Sequence, residues 1–257
     1  MVNREVYVKN YFTKRFPVWA VLIAALGLLF MTGGSPGLGF ILILIGGAAT
    51  AFLYFMKKTA TDTEVDNIVA EELEKIEKRG LNKIGLDESE VDLISPIVIR
   101  GSYKKDLNQD AKAHFRKGND DKLRYSLLKA IVFYFSEKQV YCYTNVVDIV
   151  TGKHYQESTD EYFYSDIVSV STLSAAVEEY EKKYSKLTGR TKITAKKRTF
   201  DIESFQLTTS GGTSISAVIR DEQAESTYGG TMETESTENK IKAMRNLLRE
   251  RKSNSVS

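Results

Sequence analysis

Residues 17–56 read PVWAVLIAALGLLFMTGGSPGLGFILILIGGAATAFLYFM, and no Lys, Arg, Asp or Glu interrupts them. Two apolar runs, 17–31 and 38–56, flank the uncharged turn TGGSPG at 32–37. Each run is near the length a helix needs to cross a hydrocarbon core of ~30 Å at ~1.5 Å per residue. Pro and Gly in the turn end the first helix and reverse the chain, so the two helices form an antiparallel hairpin. The flanks set its orientation: Lys14 and Arg15 precede the first run, Lys57 and Lys58 follow the second, and the turn has no charge. Positive residues stay inside, which predicts cytoplasmic ends and an external turn. Tyr11, Trp19 and Tyr54 stand where interfacial aromatic residues collect. Ala20 with Ala24, and Gly47 with Ala51, place small residues at helix-packing spacing and are expected to seat the hairpin against itself. A second use of the same faces is a homo-oligomer.

A cleaved signal peptide fits less well, because no small-x-small site follows and a second run with a Lys-Lys stop comes directly behind. A core hairpin of a soluble domain fits less well still, since neither helix offers a polar face.

Outward from the hairpin the composition changes. Residues 1–16 form a basic segment, with Arg4, Lys9, Lys14 and Arg15 against Glu5. Thr61 and Glu64 make a capping box, and Val65, Ile68, Val69, Leu73 and Ile76 recur at helical spacing toward Gly80. This predicts an amphipathic juxtamembrane helix within 57–91. Its stripe has three destinations open to it: the following domain, the bilayer surface, or a second copy.

From residue 92 the period falls from about four to two. Strands are predicted over 93–100, 124–135, 140–150, 154–164, 167–172, 199–208 and 214–220. Turns are expected at 136–139, 151–153 and 210–212, and loops over 104–122 and 221–235. Residues 175–187 carry helical spacing and read as a helical insertion. Residues 237–251 read as a closing helix with Ile241, Met244, Leu247 and Leu248 on one face, and 253–257 as a disordered tail. The fold class is therefore α+β.

Six or seven strands closed by one helix, carried by YFYSDIVSVST (162–172), FQLTTSGGTSISAV (205–218) and NKIKAMRNLLRERK (239–252), resemble the pleckstrin-homology-like (PH-like) domains of membrane-anchored bacterial proteins. The resemblance covers about 93–252. It implies a cytoplasmic β-barrel or sandwich with a C-terminal helix at a bacterial inner membrane. It also implies a ligand that is either a protein or an anionic lipid headgroup. Phosphoinositide-binding members carry spaced basic residues in the loop after the first strand. Lys104, Lys105, Arg116, Lys117, Lys122 and Arg124 occupy that stretch here, interleaved with Asp106, Asp110, Asp120 and Asp121. A second basic cluster is Lys192, Lys196, Lys197 and Arg198.

Catalytic signatures are not legible. His114 and His154 stand alone, and Cys142, the single cysteine, lies in an alternating strand between tyrosines. Ser210 belongs to a turn, Asp160, Glu161 and Asp166 read as solvated acids, and no Gly-rich loop runs into Lys-Ser or Lys-Thr. The net charge of +2 is a poor guide to partners, but the region after Met56 holds nearly equal numbers of each sign, and no nucleic-acid footprint emerges from that balance. The expectation is a non-enzymatic scaffold without cofactor or metal. Lipids would hold the hairpin, and a cytoplasmic protein would be the domain's partner. Lipid sensing through the basic loop, or a pore or transport accessory, are the alternatives.

Overall fold

The computed structural model describes residues 4–13, 17–55, 58–86, 95–107, 111–184 and 191–255. It is a mixed α+β chain in two compact units, Met1–Val65 and Asp66–Ser257.

The first unit contains α1 (Arg4–Thr13), α2 (Val18–Thr32), α3 (Pro36–Phe55) and the start of α4 (Asp62–Ile84). The two apolar runs form the helices α2 and α3, which pack against each other. Their seam is tighter than large side chains would allow. A Cβ on Gly39 would press on the Gly27 carbonyl, and one on Gly46 would press on Ala20 and Ala24. Ala20 and Ala24 face that seam. Gly47 and Ala51 do not: both are exposed, and nothing lies within 4 Å of the Cβ position of Gly47. The seam runs through Gly39, Ile43 and Gly46, and Gly47 is one residue, ~100° of helix rotation, out of register with it.

Among the described residues no single helix is long and apolar enough to cross a membrane. The pair α1 and α2, bent by 59°, reaches that length and composition together. The basic segment forms α1, a helix the composition did not announce. Tyr11 is buried there and donates to Asp62 at 2.7 Å. Trp19 is exposed, while the side chain of Tyr54 lies outside the described residues. The capping box forms as expected: Glu64 N–H donates to Thr61 Oγ1 at 3.3 Å, and Thr61 N–H donates to Glu64 Oε2 at 2.7 Å.

The second unit is built from two antiparallel meanders. One has the order β1 (Ile97–Ser102), β4 (Leu127–Phe135), β5 (Gln139–Asp148), β6 (Lys153–Phe163); between β1 and β4 a small hairpin, β2 (Phe115–Lys117) with β3 (Leu123–Tyr125), is inserted. The other runs β7 (Ile167–Tyr184), β8 (Thr191–Thr209), β9 (Ser214–Asp221). Two helices follow, α5 (Glu222–Tyr228) and α6 (Glu235–Ser255).

Alternation along the strands explains the packing. Ile131, Phe133 and Phe135 of β4, and Val140 and Cys142 of β5, face a core shared with Phe205, Leu207, Ile215, Ala217 and Ile219 of the second meander. Ile241, Met244 and Leu248 of α6 close that core, and Phe133 meets Phe205 edge-on at 5.8 Å between ring centroids. At one corner β1 passes β9 so closely that a Cβ on Gly101 would collide with the Val218 carbonyl.

The opposite face of the first meander is covered by α4. Tyr134 and Tyr143, offset by one from the core residues, point toward it, and Tyr134 O–H donates to the Glu77 carbonyl. Gly80 makes this approach feasible, since a Cβ there would sit 2.9 Å from Tyr143 Cδ1. The helix therefore continues through Gly80 and ends at Gly85, whose φ of 79° supplies the left-handed residue. Of the three destinations open to the apolar stripe, the domain takes it. Arg79 ties α4 to Glu157 of β6 at 2.6 Å.

Several expectations are corrected. Residues 175–184 continue β7 instead of forming a helix, because β8 runs alongside them from Ala175↔Ile202 to Tyr184↔Thr191, whereas a short unsupported helix is marginal in water. Residues 185–187 lie outside the described residues. The predicted loop over 104–122 contains β2, and the predicted loop over 221–235 contains α5. Asp221 Oδ1 caps α5 by accepting from Ala224 N–H at 3.0 Å, and Gly229 at φ 70° ends it. The strand expected over 124–135 breaks at Ser126, whose buried hydroxyl accepts from His114 N–H and donates to the Lys112 carbonyl, both at 2.9 Å. Helix α6 runs through Lys252 to Ser255, into the predicted tail.

Replacing Gly101 by Val should force β1 and β9 apart and lower stability by about 1–3 kcal/mol. Thermal unfolding of the chain, followed by its aromatic signal, should show a lower midpoint. An unchanged midpoint would mean that the two meanders are not in register at this corner.

Candidate functional site: a cationic trough beside an edge strand

The basic residues singled out in the sequence do not form one cationic face. Arg124 is buried and makes a two-sided clamp, donating to Asp66 at 2.7 and 2.8 Å and to Asp120 at 2.8 Å. Hydrogen bonds from Arg124 hold the Asp120 carboxyl well below the usual carboxylate range. Lys122 pairs with Glu233 at 3.0 Å, which raises its ammonium above the ordinary lysine value. Lys117 pairs with Asp121 at 2.5 Å, and Lys104 reaches the buried carboxylate of Asp221. Arg116 is half-buried and stands opposite Arg124 in the β2–β3 register, while Lys105 is exposed. Two of the interleaved acids, Asp120 and Asp121, are partners, and Asp66, Asp221 and Glu233 come from elsewhere in the chain, so four of these six cations are held in ion pairs.

The other marked residues are also structural. His154 Nδ1 lies 3.0 Å from Asn145 Oδ1, and burial pushes its imidazole below the usual value, with Arg79 nearby adding to the effect. Cys142 is fully buried in the core, which pushes its thiol up well above the ordinary value. Ser210 N–H donates to the Asp166 carbonyl at 2.8 Å within a turn. Among the described residues no three His, Cys, Asp or Glu gather as a metal site. Lys14, Arg15 and Lys57 lie outside the described residues, and Lys58 is exposed.

A different surface carries a cleft. Strand β7 is the outer strand of its meander, and α6 lies alongside its first residues. Between them runs a trough of about 510 Å³ over Ile167–Thr172, walled by Arg245, Leu248, Arg249 and Lys252. Past Thr172, and sharing Arg245 and Arg249, it opens into a second hollow of about 620 Å³ that also includes Lys242, Glu203 and Glu238. Val168 sits on a bulge in the β7–β8 pairing and is 64% exposed, and Leu173 is 53% exposed.

The edge is not bare. Arg245 Nε donates to the Val170 carbonyl, and its terminal nitrogen to Thr172 Oγ1, each at 3.1 Å. Lys252 Nζ donates to the Ile167 carbonyl. Long cations from α6 thus hold carbonyls that a further strand would otherwise take. The sequence contained the signal: Arg245, Arg249 and Lys252 are spaced i, i+4, i+7, next to the apolar stripe of Ile241, Met244 and Leu248. The other sheet edge is different in kind. Strand β6 carries Glu157, Asp160 and Glu161, charges of the sort that deter strand addition.

No model of a known family, no curated protein and no solved structure matches this chain.

Because Arg124 is buried and its two carboxylate partners are partly exposed, Arg124→Gln should cost about 1–3 kcal/mol, toward the lower end for the exposed side. The pH dependence gives a sharper test. A carboxyl whose folded value is depressed stabilises the fold above its unfolded value, near ~4, and this stabilisation is lost as pH falls through the folded value. The native chain should therefore lose stability below pH ~4 more steeply than Arg124→Gln. Parallel acid-unfolding curves would show that the clamp is not formed.

Proposed function

We propose that the chain is a membrane-anchored adaptor, in which a PH-like domain captures an extended, acidic segment of a protein partner at the cytoplasmic face. The observation that carries this reading is the trough between β7 and α6, an outer strand with exposed Val168 and Leu173 beside a row of cations. Strand addition gives main-chain affinity, and pockets for alternate side chains give selectivity. The PH-like assignment is supported by the order of elements: a four-stranded meander, a three-stranded meander, then a closing helix on the shared core. Anchoring is supported by the uncharged hairpin and by Lys58, with Lys14, Arg15 and Lys57, at its flanks.

The chemistry of the partner follows from what it must displace. An incoming strand needs the carbonyls of Ile167 and Val170, which Lys252 and Arg245 now hold. A neutral strand would take those two carbonyls from the cations and offer no carboxylate in return. A strand bearing Asp or Glu offers carboxylates in exchange, and a charge-assisted hydrogen bond to a carboxylate is about twice as strong as one between neutral groups. Apolar residues between the acids would cover Val168 and Leu173. Sensing of anionic lipid through Lys104–Arg124 has less support, because that stretch is internally paired.

Selection of random peptides displayed on phage against the full chain in detergent should enrich strands with acids alternating with β-branched or aromatic residues. A synthetic peptide from that selection should slow amide exchange over Ile167–Thr172. Arg245→Glu with Arg249→Glu should weaken it at least tenfold. Selected peptides that protect another surface, or that bind equally well after both reversals, would overturn the assignment.

A further inference from the structure

We propose that the trough reads its ligand in one register: two carboxylates, two residues apart on an extended segment, seat on Arg245 and Arg249, and Arg245 rejects strands that lack them. The proposal deepens the strand-capture reading and rests on it.

The register comes from the main chain. Arg245 donates to the Val170 carbonyl, so the main-chain groups of Val170 turn away from β8 and toward the open edge. Alternation turns those of Thr172 and Ser174 the same way. On the other side of Val170 the bulge at Val168 breaks this alternation. The Ile167 carbonyl also points outward, to Lys252, although an odd number of residues separates it from Val170. A strand added to this edge therefore pairs with Val170, Thr172 and Ser174, and its ladder ends at the bulge. Of these three carbonyls, among the described residues, a side chain holds that of Val170 alone.

The side chains follow the same alternation. Val170 packs against the shared core and Thr172 stands opposite Phe205, so both turn toward the core and α6, while Leu173 is exposed on the other face. An added strand likewise turns every second side chain toward α6. Lys252 reaches Ile167, and Arg245 reaches Val170 and Thr172, so α6 runs antiparallel to β7 here. Arg245 and Arg249, one helical turn apart, are separated by ~6 Å along the axis. Same-face neighbours on a strand are separated by ~6.7 Å. Two acids spaced i, i+2 thus match two arginines spaced i, i+4.

The two arginines differ in state. Arg249 lines both hollows and, among the described residues, pairs with no acid, whereas β7 holds Arg245. A carboxylate on Arg249 breaks no existing contact. One on Arg245 draws it off Val170 and opens the ladder. A neutral strand must displace Arg245 without a charge-assisted bond in return. The acidic run is bounded too. Past Thr172 the second hollow sets Glu203 and Glu238 beside Lys242, so a third carboxylate meets a mixed field. The ligand class is therefore an acid–apolar–acid segment with uncharged neighbours.

The test uses the full chain carrying Leu173→Cys, an exposed position, with the buried Cys142 left in place. The probe is a blocked nine-residue peptide of alternating Thr and Val in which Asp replaces two neighbouring Thr. One Cys is moved through its remaining positions, and disulfide exchange with Leu173→Cys is read at equilibrium. The expected result is one strongly favoured Cys position, with a yield constant about tenfold above that of the neutral Thr/Val peptide. In Arg245→Met the neutral peptide should gain and most of that gap should close. Equal yields across the Cys positions, or a gap that Arg245→Met leaves unchanged, overturn the register and leave strand capture standing. An Asp peptide that cross-links no better than the neutral one overturns the acidic-strand reading, and this proposal with it. The Cys scan keeps Arg245 intact, so it decides the register even where Arg245→Met fails to fold.

Discussion

The second unit depends on one shared core. Phe133 and Cys142 from one meander and Phe205 and Ile219 from the other complete each other, and α6 closes the remaining side with Ile241, Met244 and Leu248. Because α6 must bury that stripe, its neighbouring face has a fixed direction. Arg245, Arg249 and Lys252 are thereby set along the edge of β7. The trough is a by-product of core closure, which gives it a rigid frame. The first meander is covered on its other face by α4, so β4 is buried almost throughout. Tyr134 passing over Gly80 to the Glu77 carbonyl holds that layer in place.

The two outer strands illustrate how the same backbone problem is solved in two ways. Strand β6 carries Glu157, Asp160 and Glu161 along its length, and charges on an outer strand discourage pairing. Strand β7 leaves Val168 and Leu173 exposed and covers its carbonyls with movable cations. A side-chain cap can be exchanged for a better acceptor, whereas a charged strand face repels. This asymmetry is the physical basis for assigning one edge to protection and the other to recognition.

Much of the architecture was legible in the sequence. The uncharged stretch gave the α2–α3 hairpin, the capping box gave the start of α4, and period-two alternation gave most strands. Three features were not legible for identifiable reasons. The spacing of 175–184 suits a helix or a strand, and the pairing with β8, a tertiary event, decides between them. Gly80 looks like a helix stop because glycine often is one, yet here it provides room for Tyr134. The seam glycines differ from the expected pair by a single residue, which spacing of small residues does not resolve: Gly46 and Gly47 are adjacent in the sequence and face different ways. The site was harder still. Lys104–Arg124 looked cationic because the ion pairs with Asp66, Glu233 and Asp221 join residues far apart in the chain. The Arg245–Arg249–Lys252 row was visible, but its meaning depended on β7 lying beside it.

The central claim is that the hairpin anchors the chain with both flanks on one side, leaving the trough available to a cytoplasmic segment. Its most direct test is a topology measurement on the full chain inserted into sealed inner-membrane vesicles. Cysteines added one at a time at Ser35, in the turn, at Lys58, on a flank, and at Ser253, in α6, with the buried Cys142 left in place, are probed with a membrane-impermeant thiol reagent. The account predicts that Lys58→Cys and Ser253→Cys react from the cytoplasmic side only, that Ser35→Cys reacts from the opposite side only, and that alkaline carbonate leaves the chain in the pellet. Release by carbonate, or reaction of all three positions from one side, would contradict it.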